Sequence, residues 1–470
     1  MVSFSEADQF KLHLSVVAVT RNDDHGGNML GRMQYFVDGF IAQCSQHQLN
    51  AELILVEWNP PPDRPPLEEA LTWPEDFGSA QVRIITVPPE VHARFAHSAD
   101  LPVFQMIGKN VGIRRARGLY VLATNIDILF DDELVRYLRD RLNPGTIVRA
   151  DRYDVPADLP KNKPFEQVLA DCRKRFYQVN TRYGIFDMTE RRLLGMSTGL
   201  EAAVMSFICG FPIMGIHLCN PWRGWVRTIA GFVAIAFGIL AGIANRAIQI
   251  IIRNIRYIAP LRRLPVRSYY LLRRIVVRVW LLMKRLVRFG LGVIDSLVAL
   301  FSLTMITSTA TSQRRNAILR FRRSRWLHTN ACGDFTLMTR DDWFRLRGYP
   351  EWPIFSWHLD SVLLFAANAQ DIQEVALGVR YRIYHIDHSI GSGWSPQGAV
   401  QLFARLDKKG IPYLSNDDLL RLQKTFAANP RAAIINDENW GLIELPVMER
   451  EIMPGGANGI DKQQYAVTSP

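Results

Sequence analysis

Cysteine is scarce in this chain. There are five (Cys44, Cys172, Cys209, Cys219 and Cys332), odd in number and without a CxxC pair. That excludes a disulfide framework and a CxxC metal site, and reduced cytosolic thiols are the expectation. The first 20 residues lack the basic n-region and long apolar h-region of a signal peptide, so the chain is expected to begin in the cytoplasm. No glycine-rich phosphate loop follows the first apolar run, which argues against a nucleotidyltransferase. No internal repeat is present. Acidic residues vanish between Arg246 and Arg288, where twelve Lys and Arg stand with no Asp or Glu. Removing that stretch from the net charge of +11 leaves 11 − 12 = −1. The basicity belongs to one segment and not to the chain as a whole.

What is present is globular in composition, with 48% apolar and 21% charged residues over 470 positions. That length suggests two or three units. Residues 12–150 alternate strand and helix patterns. LSVVAVT (14–20), AELILVEW (51–58) and QVRIITVP (81–88) are Val/Ile/Leu-rich runs of buried parallel strands. The spacing over 30–48 is helical, and FQMIGKNVGIRRARG (104–118) reads as a helix capped by Gly118. LYVLATNIDILF (119–130) reads as one further strand, and DDELVRYLRDRL (131–142) as a helix with acids in its first turn. Such alternation implies a doubly wound, mostly parallel sheet, with ligands beyond the carboxyl ends of its strands. Residues 151–185 read as polar and irregular. Soluble composition returns over 311–400, and 401–470 reads as an amphipathic helical extension with a polar tail.

Four stretches, in order, carry a resemblance to a GT-A-fold glycosyltransferase of the family-2 type. They are LSVVAVTRND, ELILVEWNP, KNVGIRRARGLYVLATNID and DFTLMTRDDWFRLRGYPEWPIFSWHLDSVLL. The resemblance covers roughly 12–150, the nucleotide-sugar-binding half, and 320–400, within an acceptor half of 311–400. It implies a GT-A domain with a Rossmann-like, mixed and mostly parallel sheet. Asp127 then matches the last acid of the metal-binding D-x-D, with Mn²⁺ or Mg²⁺ as cofactor. Asn125 stands where the family usually has Asp, and brings an amide oxygen without charge. Asp360 matches the catalytic base, with Leu359 before it in place of the usual Glu.

The same resemblance suggests Thr20, Arg21 and Asn22 in the first nucleotide loop and Glu57 at the nucleobase or ribose. Asn110 and Arg114 come in KNVGIRR, a helical face that would meet either the diphosphate or solvent, while Asp334 resembles an acceptor-side acid and Trp394 the family's tryptophan along the acceptor path. A late histidine joins the metal in several such enzymes, and His385 and His388 are the candidates. In an extended run the two would point to opposite faces, leaving one as ligand and the other structural.

The segment 200–310 interrupts the two halves. Residues 228–244 are uncharged, 289–308 carry one charge and 202–219 are broken by Gly210 and Pro212. All are marginal for a span of about 20 apolar residues. Spanning by 228–244 and 289–307 would put the basic loop outside, against the positive-inside tendency. A hairpin of 202–219 and 228–244, or an insert lying in the interface plane, avoids that conflict. The 246–288 stretch alternates apolar pairs with arginines, as helices on anionic lipid do. An anionic membrane surface is therefore the expected partner, and nucleic acid is not.

The expected protein is a membrane-associated, inverting glycosyltransferase with a cytoplasmic catalytic domain. It would use a nucleotide-sugar donor and a glycan or lipid-linked acceptor. A catalytically inactive scaffold of the same fold is the alternative, motivated by Asn125 and Leu359.

Overall fold

The structure, a computed structural model, describes residues 12–24, 26–196, 312–388 and 396–456. The segment 200–310, Trp394 and the polar tail lie outside them. Two compact units divide the chain, one of residues 1–182 with 316–470 and one of 183–315. The halves on either side of the insert therefore fold together as one unit. In the second unit the described strands are β9 (Gly184–Asp187) and β10 (Arg192–Met196), an antiparallel hairpin.

The first unit is mixed α/β. β1 (Leu14–Thr20), β2 (Ala51–Trp58), β3 (Ala80–Val87) and β4 (Tyr120–Thr124) run parallel in the spatial order β3-β2-β1-β4. β1 and β2 are buried along their whole length, as the continuous apolar runs require. β11 (Phe335–Thr339) joins β4 antiparallel, followed outward by β6 (Thr146–Arg149) and β12 (Gln373–Ala376). β14 (Met448–Ile452) closes the far edge on β3.

Helices cover both faces, which completes the doubly wound arrangement. One face buries Val17, Val56, Val111, Trp343 and Val362 beneath the Gln105–Arg114 and Leu359–Ala369 helices. The other buries Val16, Leu53, Phe36 and Phe40 beneath the Met29–His47 helix. Each such side chain contributes about 1.5–3 kcal/mol by leaving water. A second sheet has the order β8-β7-β13-β5, from Gln178–Thr181, Asp151–Val155, Arg382–Ile386 and Ile128–Phe130.

Four expectations are corrected. Residues 119–130 are two strands: β4 ends in the large sheet, and after Asn125–Asp127 the chain enters the second sheet as β5. The helix expected to reach Gly118 ends at Arg114. Gly118 serves close approach and not a cap, because a Cβ there would lie 2.6 Å from Ser15 N and 2.7 Å from the Leu14 carbonyl carbon. Residues 151–185 hold β7, the Phe165–Arg175 helix and β8, and Gln178 and Asn180 of β8 donate to Asp154 of β7. The C-terminal extension contributes a strand, β14, besides the Pro396–Lys409 and Asn416–Ala428 helices.

No helix among the described residues is long and apolar enough to cross a membrane. The insert on which that expectation fell lies outside them.

Candidate metal centre

Asp127 lies where the chain leaves one sheet for the other. Its carbonyl accepts from Ile386 N at 2.9 Å, and this fixes the end of β13 against the loop. β13 stops at Ile386, so strand alternation ends there and the chain turns through Asp387. His385 and His388 therefore converge instead of diverging. Their Nε2 atoms stand 3.7 and 3.4 Å from Asp127 Oδ2. The three side chains each offer one ligand atom, all within 4.8 Å of one another.

Burial favours the neutral acid at Asp127. The two imidazoles, His385 foremost, outweigh it and hold the carboxyl well below the usual range. Burial and Arg152 lower the His385 pKa, but Asp127 and Asp154 carry it up to about 10. Asp127 Oδ1 is buried and has no hydrogen-bond partner among the described residues. Such an acceptor is costly to leave empty. One carboxylate with two imidazoles at Oδ2 and an unpartnered Oδ1 fits a divalent cation.

Around this centre the expected residues fall into two groups. Asn125 and Asp334 join it, because β11 pairs with β4 and sets Phe335 opposite Thr124. Asn125 Nδ2 donates to Asp334 Oδ1 at 2.6 Å, while its Oδ1 accepts from Gln105 at 2.8 Å. Both amide atoms are thus engaged within the protein. Asp334 Oδ2 receives Arg152 Nη1 at 2.7 Å.

Asp360 sits in the first turn of the Leu359–Ala369 helix and accepts from Ser361 N at 2.8 Å. Its Oδ2 would lie 3.1 Å from a Cβ at Gly333, so a larger residue there would press on the carboxylate. The residue before the helix, His358, has φ 66°, a left-handed conformation rarely held by a non-glycine residue.

Thr20 and Asn22 lie at the carboxyl end of β1. Thr20 Oγ1 and Asn22 Oδ1 are buried without a hydrogen-bond partner among the described residues. Arg21 is bound to Asn59 O at 2.6 Å and to Asp23 at 2.9 Å. Glu57, buried beside Thr20, accepts from Leu67 N at 2.9 Å and Thr86 Oγ1 at 3.2 Å. Burial raises its pKa, and those hydrogen bonds oppose the rise.

Asn110 and Arg114 are held elsewhere. Asn110 binds Tyr349 N and O at 2.8 Å and Glu351 at 2.9 Å, and Arg114 lies over Phe344 and Trp440. Trp394 lies outside the described residues.

The sequence reading missed four charged residues. Lys109 is fully buried, donates to Gly333 O at 2.6 Å and feels the charges of Asp334, Asp360 and Asp127. Arg32, buried near the start of the Met29–His47 helix, feels Asp127, Asp24 and Asp387 and donates to Gly27 O. Arg152 and Asp154, in the DRYDV run, lie two apart on one face of β7; that period-2 pairing was the available signal. Gly26 brings the β1 loop onto the site, for a Cβ there would come within 2.7 Å of His388 Nδ1.

Compared with models of known protein families and with curated proteins, the chain matches none.

Proposed function

We propose that this chain is a metal-dependent, inverting glycosyltransferase with a GT-A domain, associated with a membrane at its cytoplasmic face. It takes a nucleotide-sugar donor and a glycan or lipid-linked acceptor. The observation that carries the reading is the Asp127–His385–His388 cluster, with its orphaned carboxylate oxygen, at the carboxyl ends of parallel strands.

These three side chains would hold the divalent ion, whose chemistry there is neutralisation of a departing diphosphate. Thr20 and Asn22, at the carboxyl end of β1, offer unfilled acceptors for the donor's nucleoside. Asp360 takes the proton of the attacking hydroxyl, and Lys109 steadies the Gly333 backbone against which that carboxylate rests. Displacement with one base inverts the anomeric centre. Two imidazoles with a single carboxylate suit Mn²⁺ better than Mg²⁺, which prefers an all-oxygen shell.

The test is a panel of nucleotide sugars incubated with the detergent-purified protein under Mn²⁺, Mg²⁺ or chelator. Release of nucleotide from one donor, fastest with Mn²⁺ and abolished by chelator, is expected. Absence of both release and donor binding across the panel would leave the inactive scaffold as the better reading. Asp360→Asn is expected to keep donor binding while lowering turnover about 10²–10⁴-fold.

A further inference from the structure

The Asp127 cluster has a neighbour that touches none of its open positions. Parallel pairing of β13 with β7 sets His385 beside Asp154. Asp154 is 1% exposed, and its Oδ1 lies 2.8 Å from His385 Nδ1. Its Oδ2 accepts from Gln178 at 2.9 Å and Asn180 at 2.8 Å, both from β8. Arg152 Nε lies 3.0 Å from Oδ1. Four side chains hold this carboxylate, so it cannot swing out to become a ligand.

The circuit then closes on itself. Arg152 binds Asp334, Asp334 binds Asn125, and Asn125 lies two residues before Asp127. The loop that carries Asp127 is gripped at one end through His385 and at the other through Asn125, and both grips run through β7.

We propose that Asp154 is a positioning residue: it fixes the ring of His385 so that Nε2 faces Asp127 and a bound divalent ion, with Arg152 tying that arrangement to Asp334 and Asn125. This rests on the metal reading of Asp127, His385 and His388. A histidine ligand is ordinarily held by such a second partner, whose loss weakens the metal about 10–100-fold. Asn125 and Asp334 then serve as framework for the loop instead of as contacts to metal or acceptor.

The experiment is Mn²⁺ titration of the purified full chain, followed by the electron-paramagnetic-resonance signal of free Mn²⁺. Wild type, Asp154→Asn, His385→Ala and the double variant are compared, with thermal unfolding as the check on folding. Asp154→Asn is expected to bind Mn²⁺ about 10–100-fold more weakly, and to add no further loss once His385 is gone. Unchanged affinity in Asp154→Asn, or an equal loss with and without His385, overturns the positioning role alone. Wild type that binds no Mn²⁺ overturns the metal reading and this role with it. Should Asp154→Asn not fold, Asn180→Ala removes one donor from the same carboxylate. It is then expected to weaken Mn²⁺ only while His385 is present, and an unchanged affinity overturns the role.

Discussion

Asp127 was legible in the sequence because an apolar run delivering a carboxylate to its end demands a counter-charge. Its partners were named too, but the convergence of His385 and His388 was not. Alternation applies only inside a strand, and β13 ends between the two. Arg152 and Asp154 showed as a period-2 pair, but what they join was not legible, since those side chains come from β8, β13 and the approach to β11, far apart in the chain.

Lys109 yields a residue-scale prediction. Burial, opposed by Asp334 and Asp360, lowers its pKa from 10.5 to about 8. The unfolded chain therefore binds more protons than the folded one between those values, so this group's contribution to stability rises with pH there and is flat below pH 8. Relative to Lys109→Met, wild type should gain about 3 kcal/mol from pH 8 to 10.5 in denaturant titrations. A constant difference between the two proteins would contradict a lysine pKa lowered by burial. At the neighbouring position, Gly333→Ala is expected to displace the Asp360 carboxylate, lowering turnover while Mn²⁺ affinity stays within about twofold.

At the scale of elements, the parallel strands of the large sheet were readable because each is buried on both faces and so continuously apolar. The division of 119–130 was not. Asn125–Asp127 looks like the end of one strand, and only pairing of Ile128–Phe130 with β13 assigns the rest to another sheet. β7 and β8 escaped notice because the charged residues of one and the amides of the other are paired internally, which composition alone reads as a loop. Gly118 is a packing element: Gly118→Ala should drive β1 away from the 115–119 turn. A loss of about 1–3 kcal/mol is expected in chemical unfolding, and a loss near zero would show that β1 can shift freely.

At the scale of the whole molecule, one unit is built from both sides of a long insertion. That explains why Asn125 and Asp334, far apart in sequence, meet where β11 pairs with β4. The insert's twelve uncompensated bases between Arg246 and Arg288 carry the membrane expectation. The full chain should sediment with vesicles containing anionic lipid, more weakly as salt rises and hardly at all with neutral vesicles. Equal binding to both vesicle types would point to apolar contact without charge recognition.

The central claim is that Asp127, His385 and His388 hold one divalent ion. Anomalous diffraction at the manganese edge from crystals soaked in Mn²⁺ tests it most directly. The expected result is one peak about 2 Å from an Asp127 carboxylate oxygen and from both imidazoles, absent in Asp127→Ala. A peak elsewhere, or one that survives removal of Asp127, would contradict it.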